Sequence, residues 1–316
     1  MSQHDRPAAP RALTPRLAAS PYSWGVHAVP GAEVVLPVER VLGEMAGLGI
    51  AATELGWPGY LPLDPQELRA TLDAHGLRIV CGFASLALHG ADWDAARAQA
   101  ERIVATVAGA GGGLLSFELV GDDVSSCRQL HEDAWARLAE RYAALRQLAA
   151  QAGLTLALHP HAGSLVESEE DVARLAEHVA DVDWCLDTGH ILLGGGSPTA
   201  FVERYGDRIV HVHLKDVNAA LAARLRASEL TLLEATQQGM IVPLGQGDCE
   251  IDAVIGLLDR HDYDGWLVIE QPYALAEVPA EGEGPVAAMR ASVEHVAQLD
   301  RERAAAANPE TAGRGR

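Results

Sequence analysis

The stretch from Trp184 to Asp216 opens as Trp184-Cys185-Leu186-Asp187-Thr188-Gly189-His190 and closes as Arg208-Ile209-Val210-His211-Val212-His213-Leu214-Lys215-Asp216. Two short apolar runs, Val182 to Leu186 and Arg208 to Leu214, each end in ionisable or metal-capable side chains. Runs of this length bounded by turn residues predict buried strands. A strand, a Gly-rich turn, a helix and a second such strand make the βα repeat of a parallel sheet. Ligand sites in that architecture gather at the carboxyl ends of the strands. Side chains alternate along a strand, so His211 and His213 face one way and Val212 the other. Two imidazoles on one face, beside an Asp and a His from a neighbouring strand end, need polar partners or a metal.

The same sentence repeats outward in both directions. Strands are expected at Pro21–His27, Ile50–Leu55, Leu77–Phe83, Leu114–Leu119, Leu154–Leu158 and Gly265–Ile269, in addition to the two above. Helices are expected at 34–48, 65–75, 92–110, 132–152, 168–180, 219–233, 251–261 and 285–303, with a short one between Gly196 and Arg208. Asp64 and Ser168 stand where N-caps belong, and Gly49, Gly76 and Gly153 where helices stop. Eight strands alternating with helices predict a single closed (β/α)8 TIM barrel of the α/β class over 20–303. Residues 1–19 are expected to be a disordered leader and 304–316 a disordered tail, and 217–247, which breaks the rhythm, an insertion that forms a lid or a subunit contact.

The chain of 316 residues suits one barrel, which typically needs about 250. Its 24 basic residues against 44 acidic ones leave a formal charge of -20, which argues against sequence-independent binding of nucleic acid or anionic membranes. No signal-peptide core and no membrane-length apolar run stand out, so a cytoplasmic protein is expected. The four cysteines, Cys81, Cys127, Cys185 and Cys249, are widely spaced and form no zinc ribbon or disulfide framework.

At the strand ends stand Glu54, Glu118, His159, His161, Asp187, His190, His211, His213 and Glu270. In a closed barrel all of them rim one mouth. Any one alone has an ordinary structural explanation: a loop cap, a solvated acid, an orienting imidazole. Asp187, His213 and Glu270 together favour a metal, and mixed Asp, Glu and His ligands suit manganese, cobalt or zinc better than magnesium. Gly194-Gly195-Gly196 lacks the strand context and lysine of a phosphate loop, and Ser164 and Ser197 lack a nucleophile elbow. The acidic run Glu167–Asp171 reads as a solvated helix start.

These words resemble the xylose isomerase-like barrel superfamily of sugar isomerases, epimerases, cyclitol dehydratases and abasic-site endonucleases. Asp187-Thr188-Gly189-His190 and His211-Val212-His213-Leu214-Lys215-Asp216 recur across it. Thr53-Glu54-Leu55-Gly56, His159-Pro160-His161-Ala162-Gly163-Ser164, the insertion ending Gly245-Gln246-Gly247-Asp248 and Gly265-Trp266-Leu267-Val268-Ile269-Glu270 are similar to the inosose dehydratase branch. That resemblance implies a metal-dependent lyase that dehydrates a keto-cyclitol such as 2-keto-myo-inositol through an enediolate, in inositol catabolism. It implies a divalent ion, manganese or cobalt ahead of zinc or magnesium, held by Asp187, His213, Glu270 and His159. Glu54, Glu118 and His190 are candidates for base and acid, and Lys215 for the oxyanion. His161, His211 and Asp216 are expected to contact substrate, His211 from deeper in its strand. The partner is then a small polyol, with a homo-oligomer open. The alternative, an isomerase or epimerase of a ketose or cyclitol, shares the enediol step, but epimerases carry a glutamate where this chain has His159. A repair endonuclease needs further histidines on early strands, and a nonenzymatic binding barrel has no positive sign.

Overall fold

Val80 closes the barrel. In the computed structural model, which describes residues 11–26, 29–121, 124–179 and 181–307, the parallel strands are β1 (Leu17–Ala19), β2 (Ala52–Thr53), β3 (Arg78–Ile79), β4 (Cys81–Leu86), β5 (Leu114–Leu119), β6 (Thr155–Leu158), β7 (Trp184–Asp187) and β8 (Ile209–Leu214). An antiparallel pair, β9 (Asp216–Val217) and β10 (Ile241–Val242), belongs to the insertion, and β11 (Leu267–Ile269) completes the parallel set. The parallel segments are ordered β3-β2-β1-β11-β8-β7-β6-β5-β4. The two ends of that series, β3 and β4, are halves of one strand interrupted at Val80. The Val80 N–H donates to the Thr53 carbonyl at 2.9 Å on one side, and its own carbonyl accepts from the Gly113 N–H at 3.1 Å on the other. The sheet is therefore a ring of eight staves, the (β/α)8 barrel expected.

Around it lie α1 (Val38–Gly47), α2 (Pro65–Asp73), α3 (Trp93–Ala110), α4 (Glu132–Gln151), α5 (Glu169–His178), α6 (Thr188–Leu193), α7 (Pro198–Tyr205), α8 (Ala219–Arg226), α9 (Leu232–Gln237), α10 (Ile251–Arg260) and α11 (Pro285–Ala307). Their starts follow local chemistry. Asp64 accepts from the Gln66 and Glu67 amides, and Ser168 with Asp171 forms a reciprocal capping box. None of these helices is long and apolar enough to cross a membrane.

Strand alternation sorts the core into two layers. Leu17, Leu156, Leu158, Trp184, Leu186, Val212, Leu214, Leu267 and Ile269 face the helices. Ala18, Ala52, Val80, Cys81, Leu114, Ala157, Cys185 and Val268 face inward and plug the barrel. They are small because eight staves leave little interior width. Two residues further along the same inward faces come Glu54, His159, Asp187 and Glu270. On β8 the inward series is His211, His213 and then Lys215.

Several boundaries differ from the sequence reading. The first strand is Leu17–Ala19, not Pro21–His27. Pro21 instead starts a 3-10 turn to Trp24 behind Ser20, and His27 lies outside the described residues. The expected leader is ordered from Arg11 onward, because Leu13 and Leu17 are buried and Asp300 accepts from the amides of Leu13 and Thr14. Residues 1–10, 180 and 308–316 lie outside the described residues, and Ala304–Ala307 extend α11 where a disordered tail was expected. Helix α1 begins at Val38, not Val34, since Pro37 sits at its N-cap and biases Leu36 away from helical backbone. The expected 219–233 helix is two helices, interrupted by Ser228 in left-handed backbone (φ 57) and restarted by a Thr231–Glu234 capping box.

Asp216 was expected at the substrate and is not there. Its Oδ1 accepts from the amides of Val217 (3.1 Å) and Cys249 (3.0 Å), and its Oδ2 from those of Gly245 (2.9 Å) and Gly247 (2.9 Å). It ties both ends of the insertion to the barrel. Gly247 is required for this, since a Cβ there would stand 2.4 Å from Asp216 Oδ1. Replacing Asp216 with Ala strands buried amides, and urea denaturation is expected to show a loss of about 3 kcal/mol, with Asp216→Asn intermediate. An unchanged midpoint for the Ala variant would contradict the anchoring role.

Candidate active site

The inward-facing ends of β2, β5, β6, β7, β8 and β11 surround a cavity of ≈ 500 Å³ lined by Glu54, Glu118, His159, His161, His190, His213, Lys215 and Glu270. Beneath it lies Asp187, wholly buried behind the lining residues Lys215, His213 and His159. Burial alone would raise the pKa of this carboxyl, but Lys215, His190, His159 and His213 hold it well below the usual range. Lys215 Nζ donates to Asp187 Oδ2 at 2.8 Å and lies 3.7 Å from Glu270 Oε2. Burial would neutralise that amine, yet the two carboxylates raise its pKa, so it stays an ammonium. Glu270 is held low by Lys215 and His213 against its own burial.

The Asp-Thr-Gly-His word is explained residue by residue. Asp187 also caps α6 by accepting from the His190 amide at 2.9 Å. Thr188 Oγ1 accepts from the Lys215 amide (2.9 Å) and donates to the Lys215 carbonyl (2.7 Å), locking β7 to the end of β8. Gly189 leaves room for the lysine stem, because a Cβ there would meet Lys215 Cγ and Cδ at 2.5 Å. His190 supplies an imidazole whose Nε2 lies 3.9 Å from Asp187 Oδ2, the oxygen that Lys215 also contacts.

Glu54, expected as an acid or base, is engaged otherwise. Its Oε1 accepts from His211 Nε2 at 2.8 Å and from His213 Nε2 at 3.0 Å. Burial would raise its pKa, but the two imidazoles take it below the usual carboxylate range. A carboxylate so placed fixes the His213 ring and turns Nδ1 toward Asp187 and Glu270, the arrangement seen behind metal-bound histidines. His211 was expected to contact substrate; it does not line the cavity and backs Glu54 instead. Its place behind the cavity agrees with the deeper position in the strand read from the sequence.

Three ligand atoms converge: one each from Asp187, His213 and Glu270, all within 4.8 Å of one another. His213 Nδ1 is 2.7 Å from Glu270 Oε2, yet the two make no aligned hydrogen bond. Both atoms are buried without a hydrogen bond, as are both ring nitrogens of His159. His159 Nε2 lies 3.5 Å from Asp187 Oδ2, and His159 forms such groups with Asp187 and His190 and with Cys185 and His213, not with Glu270. Orphaned buried donors and acceptors of nitrogen and oxygen type, aimed at one point, fit a divalent cation. Burial works against a charge on His213, but the carboxylates around it lift its pKa well above the usual imidazole value. A cation entering there must displace a proton.

Beside His159 and His190, His161 Nδ1 is 2.9 Å from the Ala162 carbonyl and 3.1 Å from Glu118 Oε2. Both are acceptors, so Nδ1 carries the proton, and Nε2 has no partner among the described residues. Ser85 Oγ donates to Glu118 Oε1 at 2.6 Å, a partner that sequence spacing did not reveal. His190 packs on His161 with ring centroids 3.7 Å apart. His190 Nδ1 accepts from the Ala162 amide at 3.2 Å, and burial, with His161 and Lys215 nearby, keeps its pKa well below the usual value. It is therefore a neutral ring with a fixed Nε2–H, a hydrogen-bond donor where a proton carrier was expected.

The chain belongs to the xylose isomerase-like TIM barrel family, whose model matches residues 42–299. The inosose dehydratase of Erwinia tasmaniensis is 31% identical over 267 residues, covering 81% of this chain and 89% of that one. The rhizopine catabolism protein MocC of Rhizobium meliloti is 30% identical over 267 residues, covering 81% of each. Among solved structures, the probable 3-DHS dehydratase AsbF of Bacillus anthracis, involved in petrobactin synthesis, matches with a TM-score of 0.68 at 16% identity, over 89% of this chain and 98% of that one. That last likeness shows the fold.

Burial lowers the His159 pKa to about 4, partly offset by Asp187. An unfolded chain leaves it near 6.5. The folded state thus favours neutral His159, a contribution complete above about pH 6.5 and lost as pH falls toward 4. Metal-free protein is expected to lose urea resistance between pH 7 and about 4.5, and His159→Gln to lose visibly less over the same interval. Equal losses in both would contradict the neutral assignment.

Proposed function

We propose that this chain is a divalent-metal-dependent hydro-lyase that removes water from a keto-cyclitol of the 2-keto-myo-inositol type, in inositol catabolism. The observation that carries the reading is the convergence of ligand atoms from Asp187, His213 and Glu270, all within 4.8 Å of one another, beside a buried ammonium and facing an imidazole–carboxylate pair. The inosose dehydratases among its relatives agree with it.

A divalent ion, manganese or cobalt by the character of the donors, held by Asp187, His213, Glu270 and His159, supplies Lewis acidity to the substrate ketone. Lys215 stabilises negative charge that develops on the same oxygen, in a site where little water screens it. His161 Nε2 takes the proton beside the carbonyl, while Glu118 holds the ring and stabilises the imidazolium formed. The same imidazolium returns its proton to the departing β-hydroxyl, so a C–H and a C–O bond break, a C=C bond forms and water leaves. His190 Nε2–H orients a ring hydroxyl. Glu54 and His211 move no proton; they keep His213 in register.

Metal-free protein given manganese or cobalt is expected to convert 2-keto-myo-inositol to a product with growing ultraviolet enedione absorbance. His161→Asn should lower kcat by about 10²–10⁴ while binding metal as tightly as the parent chain. Bound metal with epimerised or isomerised product and no enedione would move the assignment to an isomerase or epimerase. Full turnover by His161→Asn would overturn its role.

A further inference from the structure

Cys185 is the inward-facing residue two before Asp187 on β7, wholly buried in the layer of small side chains that plugs the barrel. A buried thiol in such a layer is an ordinary small filler unless the groups around it ask for more. Here they do. One ligand atom each from His159, Cys185 and His213 lie within 4.8 Å of one another. Neither nitrogen of His159 makes an aligned hydrogen bond, although the side chain is only 2% exposed. Its ring meets the His213 ring edge-on, with centroids 5.0 Å apart. Asp187 Oδ2 is 3.5 Å from His159 Nε2 and 3.5 Å from His213 Nδ1, so a fourth donor is at hand.

The other cysteines have no such setting. Cys127 Sγ donates to the Asp171 carbonyl at 3.5 Å and Cys249 Sγ to the Thr188 carbonyl at 3.6 Å. Cys81 groups with Glu54 and His211, but Glu54 Oε1 already accepts from two imidazoles, so that group is satisfied without an ion. Hydrogen bonding thus separates the two cysteine groups, and it selects Cys185.

We propose that Cys185, His159 and His213, with Asp187 Oδ2, form a second cation position, one inward step deeper than the Asp187–His213–Glu270 group and suited to a thiophilic divalent ion of the zinc and cadmium kind. Sulfur is the deciding donor, because thiolate and imidazole favour softer ions whereas manganese prefers oxygen. Metal–ligand bonds of about 2.0–2.3 Å hold donor atoms closer together than the 4.8 Å met here, so small side-chain rotations close the group. The ion enters from the cavity that His159 and His213 line, and it displaces the thiol proton as the sulfur–metal bond forms. Both positions draw on His213 and Asp187, so they cannot be filled together. A thiophilic ion therefore expels the oxygen-preferring one. None of this depends on which substrate the cavity takes.

The test uses cadmium alone. Metal-free protein is titrated with it while near-ultraviolet thiolate-to-metal charge transfer is followed, and X-ray absorption at the cadmium edge counts sulfur neighbours. The parent chain is expected to develop the band to saturation at one ion per chain, with one sulfur neighbour. The band is expected to be lost in Cys185→Ala and kept in Cys81→Ala, with melting temperatures showing that both variants fold. Added to manganese-loaded protein, cadmium is expected to release manganese, read as the free-ion signal in electron paramagnetic resonance. No cadmium-induced band, or a saturated cadmium site without a sulfur neighbour, would overturn the inference in the parent chain whatever the variants do. So would a band that survives in Cys185→Ala, or one that forms with manganese still bound. Tight manganese binding in any of those cases leaves the outer group and the dehydratase reading standing.

Discussion

Asp187 is a carboxylate wholly removed from water, and the surrounding architecture answers to that fact. An ionised group in such a place is tolerated only when cations and donors surround it. Lys215 donates to one oxygen and the His190 amide to the other, while His159 and His213 approach within 3.5 Å. The neighbouring residues follow from this. Gly189 has no side chain because the lysine stem passes there, Thr188 has a hydroxyl because the lysine backbone needs both a donor and an acceptor, and Glu54 stands behind His213 so that its other nitrogen faces the carboxylates.

That cluster resists neutralisation by its own members. Lys215 compensates Asp187 and part of Glu270, yet His213 Nδ1, Glu270 Oε2 and both nitrogens of His159 make no aligned hydrogen bond. The unmet demand is for a cation with several ligands, which is why a divalent ion accounts for the site better than a hydrogen-bonded core does. The barrel supplies rigidity at no conformational expense, since every one of these side chains stands on a strand end or the residue just past it. The insertion, built from β9, α8, α9 and β10 and tied down by Asp216, brings Met240 and Ile241 to the cavity.

Much of this was legible in the chain. Alternation along Arg208–Asp216 put His211, His213 and Lys215 on one face, and the Gly-terminated helices gave the barrel its count. What failed did so for identifiable reasons. Leu17–Ala19 was passed over because three small or apolar residues beside Pro21 carry no periodicity, and their strand character comes from pairing with β2 and β11. Asp216 follows Lys215 directly, so sequence proximity suggested the site, whereas the strand turns its side chain toward Gly245 and Gly247. Glu54 and His211 were gathered at one mouth, but the hydrogen bond between them, across 157 residues, is visible only when the ring closes. The Glu118–His161 pair and the tautomer of His190 likewise depend on tertiary neighbours.

The account stands on the claim that these side chains form one cation site. Diffraction from crystals soaked in manganese, recorded on both sides of the manganese absorption edge, tests it directly. One anomalous peak in ligand contact with Asp187, His213 and Glu270, with His159 turned toward it, is the result expected. A site without such a peak at saturating manganese, Lys215 still paired with Asp187, or a peak bound elsewhere, would contradict it.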